Sequence, residues 1–304
     1  MLKLDSILAF TAVAESGSIT GAARRLTLSK SVVSERLSEL ERLLGSRLVS
    51  RTTRRLTLTE DGNSFYERGK LLLRDAEEAA TVFNRRGGAV AGPLRISGPV
   101  GFGSLHLGPA LVAFVAENRG VEMTLELDDR FVNLLADGFD AVVRHGPVDD
   151  RRIIVKTLAQ SRRLLVASGP YLKRHGAPAS IADLAQHRGI LYTNRGASDW
   201  RFRAGRKMVS IRPEAAMRVN NGLVMRDAAA AGLGIALLPT FFLHGPAAMR
   251  NLKILEVGAE AEGATVYIAY GEQLRESPTI KALTAALRSA FGNPAYWEVP
   301  VPDQ

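Results

Sequence analysis

The 304-residue sequence predicts an α/β protein that begins with a small, mostly helical N-terminal domain. Residues 1–59 contain three short segments with helical spacing of apolar residues and then two short strand-like segments. Residues 60–90 have the character of one long linker helix, and strand-like and helix-like segments alternate from residue 91 to residue 304. We therefore expect domains at 1–59, 60–90 and 91–304.

The positive charge of the chain is concentrated at its N-terminal end. The formal net charge is +9, and residues 1–59 hold ten Lys or Arg against five Asp or Glu. A concentrated basic block is typical of proteins that bind a phosphate backbone, although a solvated basic surface gives the same count. Charge alone leaves both interpretations open.

Composition argues against several classes of site. The sequence has no cysteine, which excludes disulfide bonds and thiolate metal ligands, and its five histidines are scattered without the spacing of metal ligands. The longest apolar run, 228–243, is short for a bilayer span and is interrupted by Gly232, Gly234 and Pro239. We expect a cytoplasmic protein with no metal, no cofactor and no membrane partner.

Capping residues delimit the first three helices. Apolar residues at helical spacing begin at Leu4, and Gly17 ends the first helix. Ser18 and Ser29 are good N-cap residues for a second and a third helix. Gly45 is well suited to the left-handed C-cap of the third helix.

The third helix has two different faces. Spacings of four, three and four residues place Val33, Leu37, Leu40 and Leu44 in one apolar stripe. The other face is polar, as in a helix-turn-helix whose recognition helix presents its early residues to base edges in the major groove. The alternative is a solvated helix in an unrelated bundle. The candidate DNA-binding residues are Thr20, Ser29, Lys30, Ser31, Ser34, Glu35, Arg36 and Ser38.

Residues 48–59 predict a wing of two short strands around a basic turn. Arg51, Arg54 and Arg55 would be costly to bury and belong on the surface. Beside a recognition helix, they can bind phosphates or enter the minor groove, whose negative potential attracts arginine. The wing therefore favours DNA binding over an incidental basic bundle.

The linker helix carries a seam of unusually small residues. Thr59 can cap this helix, and Glu60 and Asp61 suit its first turn. Steps of four and three residues predict a coiled-coil-like seam, and two partners for it remain open: a second copy of the chain, or this subunit's own wing and C-terminal domain. The candidate dimerisation residues are Phe65, Leu72, Ala76, Ala79 and Phe83. Glycines at 87, 88 and 92 then end the helix.

A series of short motifs runs through the N-terminal domain in a specific order. It opens with Phe10-x-x-Val13-Ala14-Glu15-x-Gly17-Ser18-Ile19-Thr20-x-Ala22-Ala23-x-x-Leu26 and continues with Leu28-Ser29, Ser34, Leu40-Glu41, Leu44-Gly45, Leu48, Arg51-Thr52, Arg54 and Leu58-Thr59-x-x-Gly62. In this order and spacing the motifs resemble the LysR-type transcriptional regulators. The resemblance implies a winged helix-turn-helix that binds an imperfect palindrome in double-stranded DNA. It also implies antiparallel pairing of linker helices in a homodimer or homotetramer, with RNA polymerase as a candidate partner.

The sequence departs from that family on the face that would read DNA. Lys30 and Ser31 stand where the family often has Gln and Pro, and Glu35 stands at a frequently basic position. These changes leave the expected fold intact. They alter the expected base preference, because lysine favours guanine acceptors whereas a carboxylate accepts from cytosine.

The C-terminal region predicts a parallel α/β sheet in two lobes. We predict strands at 94–97, 121–127, 139–144, 164–167, 189–192, 217–220, 234–238 and 265–270, and helices at 105–117, 130–137 and 279–291. Two crossings would join lobe I, about 91–161 and 267–304, to lobe II, about 162–266. This arrangement resembles the two-lobed, periplasmic-binding-protein-like effector domain of the same family.

Ligands of open α/β sheets bind beyond the carboxyl ends of strands. The first such loop, 97–104, is rich in glycine and opens a helix, so its backbone N–H groups could hold an anion. The resemblance implies that effector contacts fall on the loops of this edge. The candidates are Ser97, Pro99, Val100, Gly101, Phe102, Asp128, Asp129, Arg144, His145, Asn194, Trp200, Asn220 and Asn221. Their basic, amide and aromatic groups favour a small organic or aromatic acid.

An enzyme is the main alternative class. The sequence has no G-x-S-x-G, H-E-x-x-H or P-loop motif, and the spacing of Gly98, Gly101 and Gly103 does not match a dinucleotide-binding loop. A solute-binding domain alone would explain residues 91–304 but would leave the helix-turn-helix and the wing without a role. We therefore expect no catalytic residues.

Overall fold

Residues 1–51, 56–84, 89–130, 134, 137–146, 153–194 and 200–298 are described by the computed structural model; for Arg51 and for positions 74, 75 and 77–84 this description covers the backbone only. The chain divides into two compact units. One is Met1–Ala89 with Leu135–Gly138, and the other is Val90–Leu134 with Phe139–Gln304. Arg54, Arg55 and most of the helix predicted at 130–137 lie outside the described residues, as do the side chains of Arg51, Ala79 and Phe83.

The N-terminal unit is a helix-turn-helix followed by a two-stranded wing and a long helix. Its elements are α1 (Leu4–Ser16), α2 (Ile19–Leu26), α3 (Lys30–Leu44), β1 (Val49–Arg51), β2 (Leu56–Leu58) and α4 (Glu60–Asn84). The predicted caps are confirmed: Ser18 Oγ accepts from the Gly21 N–H at 3.0 Å and Ser29 Oγ from the Val32 N–H at 3.3 Å. Strands β1 and β2 pair antiparallel.

The core of this unit is built on the apolar stripe of α3. Val33, Leu37 and Leu40 are buried together with residues of α1 and α2. Phe65 of α4 packs edge to face on Phe10 of α1, with ring centroids 5.6 Å apart. Phe65 thus contributes to the core of its own unit, and its assignment to a seam between two copies stays a prediction.

The C-terminal unit contains helices and strands in alternation. Its elements are β3 (Gly92–Gly98), α5 (Val100–Phe102), a π-helical turn (Gly103–Leu107), α6 (Gly108–Glu117), β4 (Val121–Leu127), β5 (Ala141–His145), β6 (Ile153–Ser161), β7 (Arg163–Ser168), α7 (Gly169–His175), β8 (Arg188–Tyr192), β9 (Arg201–Ala204), β10 (Lys207–Ser210), β11 (Glu214–Val219), α8 (Gly222–Ala230), β12 (Ile235–Pro239), β13 (Leu252–Leu255), β14 (Glu260–Ala261), β15 (Ala264–Gly271) and α9 (Pro278–Phe291). The described strands form two five-stranded sheets and one small antiparallel sheet.

Both large sheets are mixed, so the prediction of a parallel sheet is wrong. The first has the order β4-β3-β5-β15-β6, with β15 antiparallel to both of its neighbours. The second has the order β11-β8-β12-β7-β13, with β7 antiparallel to both of its neighbours. Strands β6, β9, β10, β13 and β14 were not predicted. The chain passes from the first sheet to the second after β6 and returns before β15.

The helix predicted at 105–117 begins earlier than expected, at Val100. The glycines around it favour a loop by propensity, but they let the helix approach its neighbours closely. A Cβ on Gly103 would lie 2.3 Å from a methyl group of Leu127. In the described part of the chain, Val100–Glu117 is the one helical stretch long and apolar enough to cross a membrane, and its buried residues lie in the core of the C-terminal unit.

His106 is buried in the π-helical turn and held by two hydrogen bonds. Its Nε2 lies 2.8 Å from the carbonyl oxygen of Phe241, and its Nδ1 lies 2.7 Å from the hydroxyl of Tyr296. Because a carbonyl oxygen only accepts, Nε2 carries the proton and Nδ1 accepts from the tyrosine. Burial lowers the pKa of His106, the hydrogen bond to Phe241 opposes this, and nearby His244 lowers the pKa further.

We expect the free energy of unfolding to fall as the pH falls below the ordinary histidine pKa of about 6.5. Below that value the unfolded chain takes up a proton at His106 that the folded chain does not, so the stability gained from neutral histidine is lost. His106→Gln should make the slope of unfolding free energy against pH shallower. Denaturant unfolding at several pH values measures this slope. Burial also lowers the pKa of His187. The slope for His106→Gln is therefore compared with the slope for His187→Gln, a variant that keeps the contribution of His106. An unchanged slope in His106→Gln would contradict the prediction.

Candidate functional site

A cleft of about 510 Å³ lies in the C-terminal unit where the chain crosses between the two five-stranded sheets. This volume lies within the range of about 300–1,000 Å³ that is typical of small-molecule pockets. The cleft is lined by Pro99, Asp128, Asp129, Arg130, Arg144, His145, Gly146, Tyr192, Asn194, Arg201, Glu262, Gly263, Thr265 and Tyr267. Six of these were predicted from the sequence: Pro99, Asp128, Asp129, Arg144, His145 and Asn194.

Arg144 lies at the carboxyl end of β5, half-buried in the cleft wall. Its guanidinium donates to Ser97 Oγ at 2.8 Å and to the carbonyl oxygen of Val143 at 2.9 Å. Within the described residues, no carboxylate lies within ion-pair distance of it. Burial lowers the pKa of Arg144, and Tyr267 and the aspartates at 128 and 129 oppose this. Ser97 is fully buried and positions Arg144 from beneath the cleft.

Asp129 connects the two lobes across the cleft. Its Oδ1 accepts from the backbone N–H of Val100 at 3.0 Å, and its Oδ2 accepts from the side-chain amide of Asn221 at 3.1 Å. Its carbonyl oxygen accepts from Asn194 Nδ2 at 2.6 Å. The sequence predicted that N–H groups of the 97–104 loop hold an anion. The N–H of Val100 does so, but its anion is the protein's own Asp129.

The other charged side chains of the cleft lie in ion pairs. Arg130 lies 2.6 Å from Asp128, and its hydrogen bonds hold the pKa of that carboxyl below its usual range. Arg201 lies 3.3 Å from Glu262. Arg201 and Glu262 were not among the predicted site residues, because β9 and β14 were not predicted.

Two aromatic residues predicted to line the cleft belong to the core instead. Phe102 packs in the core beneath the first sheet, with its ring centroid 5.0 Å from that of Phe241. Trp200 is buried in the core of the second lobe beside Phe202. Both assignments are wrong because large apolar side chains gain more by leaving water completely than by forming a wall of a polar cleft.

Three further predicted residues lie outside the described lining of the cleft. Gly101 faces Phe242, and a Cβ on it would lie 2.6 Å from that ring. Asn220 is exposed outside the cleft lining, and Asn221 Oδ1 caps α8 while its amide reaches Asp129. Tyr192 and Tyr267 also line the cleft but were not predicted from the sequence. Tyr192 ends a strand that was predicted correctly and lies two residues before Asn194, a signal that could have identified it.

In the N-terminal unit, α3 presents a polar face to solvent. Lys30, Ser31, Glu35 and Ser38 are exposed, whereas Ser34 and Thr20 are half-buried and Ser29 serves as the N-cap. Arg36 is half-buried and donates to Asp5 of α1 at 2.8 Å, so it braces two helices of its own unit. Arg42 is exposed one turn beyond Ser38 on the same face and was not among the predicted DNA-binding residues.

A helix-turn-helix with a wing, a long helix and an α/β unit with a ligand-sized cleft together define a DNA-binding regulator that responds to a small molecule. Residues 4–63 match the bacterial regulatory helix-turn-helix protein family of lysR type, and residues 87–292 match the LysR substrate binding domain. The chain belongs to the LysR family of transcriptional regulators and is not an enzyme.

Individual relatives agree with this membership. An uncharacterized HTH-type transcriptional regulator of Haemophilus influenzae is 34% identical over 253 residues, which cover 80% of this chain and 85% of the relative. The regulator PtxR of Pseudomonas aeruginosa is 30% identical over 294 residues, which cover 96% of this chain and 94% of the relative. Full-length AphB of Vibrio cholerae, a virulence activator, has a TM-score of 0.63 at 24% identity. The match covers 95% of this chain and 99% of AphB. A full-length OxyR variant of Pseudomonas aeruginosa has a TM-score of 0.67 at 16% identity, with coverage of 99% for both chains. The last two likenesses support the fold.

Proposed function

We propose that this LysR-type regulator binds an imperfect palindrome in promoter DNA and that a small organic acid in the cleft modulates its activity. The observation that carries the effector assignment is Arg144. It is a half-buried cation in a ligand-sized cleft, and its described side-chain partners are neutral. A guanidinium matches the geometry of a carboxylate and can bind it with two parallel hydrogen bonds.

The polar face of α3 supports the DNA assignment. Its exposed N-terminal residues lie where a recognition helix contacts base edges, and the wing strands β1 and β2 flank the arginines proposed to bind phosphates. A palindrome requires two copies of the unit, so we propose a homodimer or homotetramer that acts in the cytoplasm with RNA polymerase. Leu72, which is 42% exposed on α4, supports pairing through this helix.

Lys30→Ala is expected to change sequence preference, whereas Arg54→Ala is expected to weaken binding to all sequences. A bidentate base contact contributes about 1–3 kcal/mol of discrimination, and each lost phosphate contact lowers the salt slope by about one. Selection from random duplexes should first return an inverted repeat. Titrations of both variants against the selected and a scrambled duplex, at two salt concentrations, then separate the two effects.

Lys173→Ala, a lysine change on the C-terminal unit, is the matched control and should leave both titrations unchanged. A selection without an enriched inverted repeat would contradict the palindrome. Equal losses on the two duplexes for both Lys30→Ala and Arg54→Ala would contradict the division of roles between helix and wing.

A further inference from the structure

The described lining of the cleft carries three arginines and three carboxylates. Two of the arginines form ion pairs with carboxylates of the lining. Arg130 lies 2.6 Å from Asp128, and Arg201 lies 3.3 Å from Glu262. One cation and one anion of the lining remain outside these ion pairs. They are Arg144 and Asp129.

Each of these two charges is held in place by neutral groups. Arg144 donates to a hydroxyl and a backbone carbonyl, and Asp129 accepts from a backbone N–H and a side-chain amide. Such contacts fix the orientation of each charge, and Asp129 itself favours the charged form of Arg144 without forming an ion pair with it. The cleft therefore presents one oriented positive group and one oriented negative group to its interior.

This balance constrains the ligand. A simple carboxylate on Arg144 would bring a net negative charge into a cleft whose described charged side chains balance and include Asp129, and an amine on Asp129 would bring a net positive charge. An uncompensated charge that leaves water carries a penalty of several kcal/mol. A ligand with both a carboxylate and an ammonium group compensates both charges of the protein and both of its own.

We infer that the effector is a zwitterionic amino acid, with its carboxylate on Arg144 and its ammonium group on Asp129. This inference rests on the proposed function, because it names the class of organic acid that occupies the same cleft. A cleft of about 510 Å³ leaves room for a side chain beside the two charged groups. Tyr192, Tyr267 and Thr265 also line this space, and their side chains are neutral.

The test uses the full chain and matched sets of three probes. Each proteinogenic L-amino acid is compared with the carboxylic acid that lacks its α-amino group and with the amine that lacks its carboxylate. Thermal shift identifies binders, and calorimetric titration gives their Kd. We expect at least one amino acid to bind, and both of its truncated analogues to bind at least about tenfold more weakly, because each loses a charge-assisted contact.

Two variants test which protein side chain recognises each charged group of the amino acid. Asp129→Asn should lower the ratio of the affinity for the amino acid to the affinity for its desamino analogue at least about tenfold. Arg144→Gln should lower the ratio of the affinity for the amino acid to the affinity for the corresponding amine by at least about the same factor. Ratios measured within one variant separate selectivity from a general loss of binding or folding. Asp227→Asn makes the same chemical change on α8 outside the cleft lining and should leave both ratios unchanged.

Each outcome has a definite consequence. Desamino acids that bind as tightly as their amino acids would overturn the zwitterion assignment and leave the organic-acid function standing. Ratios that do not change in Asp129→Asn and Arg144→Gln would also overturn it. If no amino acid and no carboxylic acid binds the chain, the zwitterion assignment and the proposed effector class both fail.

Discussion

Replacing Trp297 with alanine is expected to lower the free energy of unfolding of the C-terminal unit by about 3–5 kcal/mol. The indole ring is fully buried and lies between His106, Phe102 and Phe291, with centroid separations of 4.9, 5.6 and 5.1 Å. Alanine removes these contacts and leaves a cavity that the surrounding rings cannot fill without leaving their own positions. Denaturant unfolding followed by far-UV circular dichroism measures the loss.

Trp297→Phe is the matched control for this prediction. The indole N–H is buried and has no hydrogen-bond partner among the described residues, so phenylalanine removes an unsatisfied donor while it keeps most of the ring contacts. We expect phenylalanine to cost clearly less than alanine. If the two variants unfold at the same denaturant concentration, the stabilisation does not come from ring packing.

The N-terminal helices could be predicted closely because their signals are local. The N-caps Ser18 and Ser29 and the left-handed glycines Gly17 and Gly45 act within a few residues of the chain, and all four occur where the sequence indicated. A cap or an apolar stripe needs no information about distant segments. Boundaries derived from such signals therefore fall within about two residues of those observed.

Strand direction in the C-terminal unit could not be predicted in the same way. Apolar periodicity identifies β7 and β15 as strands, but it is the same for parallel and antiparallel neighbours. The direction depends on where the chain crosses between the sheets, a property of the whole unit. The short strands β9 and β14 have only a few residues each and give no periodic signal, so the ion pair of Arg201 and Glu262 was missed with them.

The seam of α4 shows that a periodic pattern does not identify the partner of a helix. Phe65 and Leu72 belong to one periodic stripe, yet Phe65 packs on Phe10 of its own unit while Leu72 is exposed. Periodicity identifies the face of a helix that is covered, but not the surface that covers it. One turn of the stripe contacts α1 of the same chain, and the exposed turn remains available to a second copy.

The second large effect is expected at Gly62, the last residue of the Leu58-Thr59-x-x-Gly62 motif. A Cβ at this position would lie 2.0 Å from the carbonyl oxygen of Leu48. That oxygen already accepts from the Thr59 N–H at 3.0 Å, at the junction of the wing and α4. Because the obstacle is backbone, it cannot move aside as a flexible side chain could. Gly62→Ala must therefore displace the start of α4 from Leu48, the residue directly before β1.

We expect Gly62→Ala to destabilise the N-terminal unit by about 1–3 kcal/mol or more and to weaken binding to every duplex. Ligand binding in the cleft should persist, because the described lining of the cleft belongs to the C-terminal unit. Gly45→Ala is the control: a Cβ there meets no atom within 4 Å, so the change adds only the strain of a left-handed backbone. Titration with the selected duplex, beside calorimetry of the cleft ligand, compares the variants. A Gly62→Ala chain that binds DNA as tightly as Gly45→Ala would show that the wing does not depend on this contact.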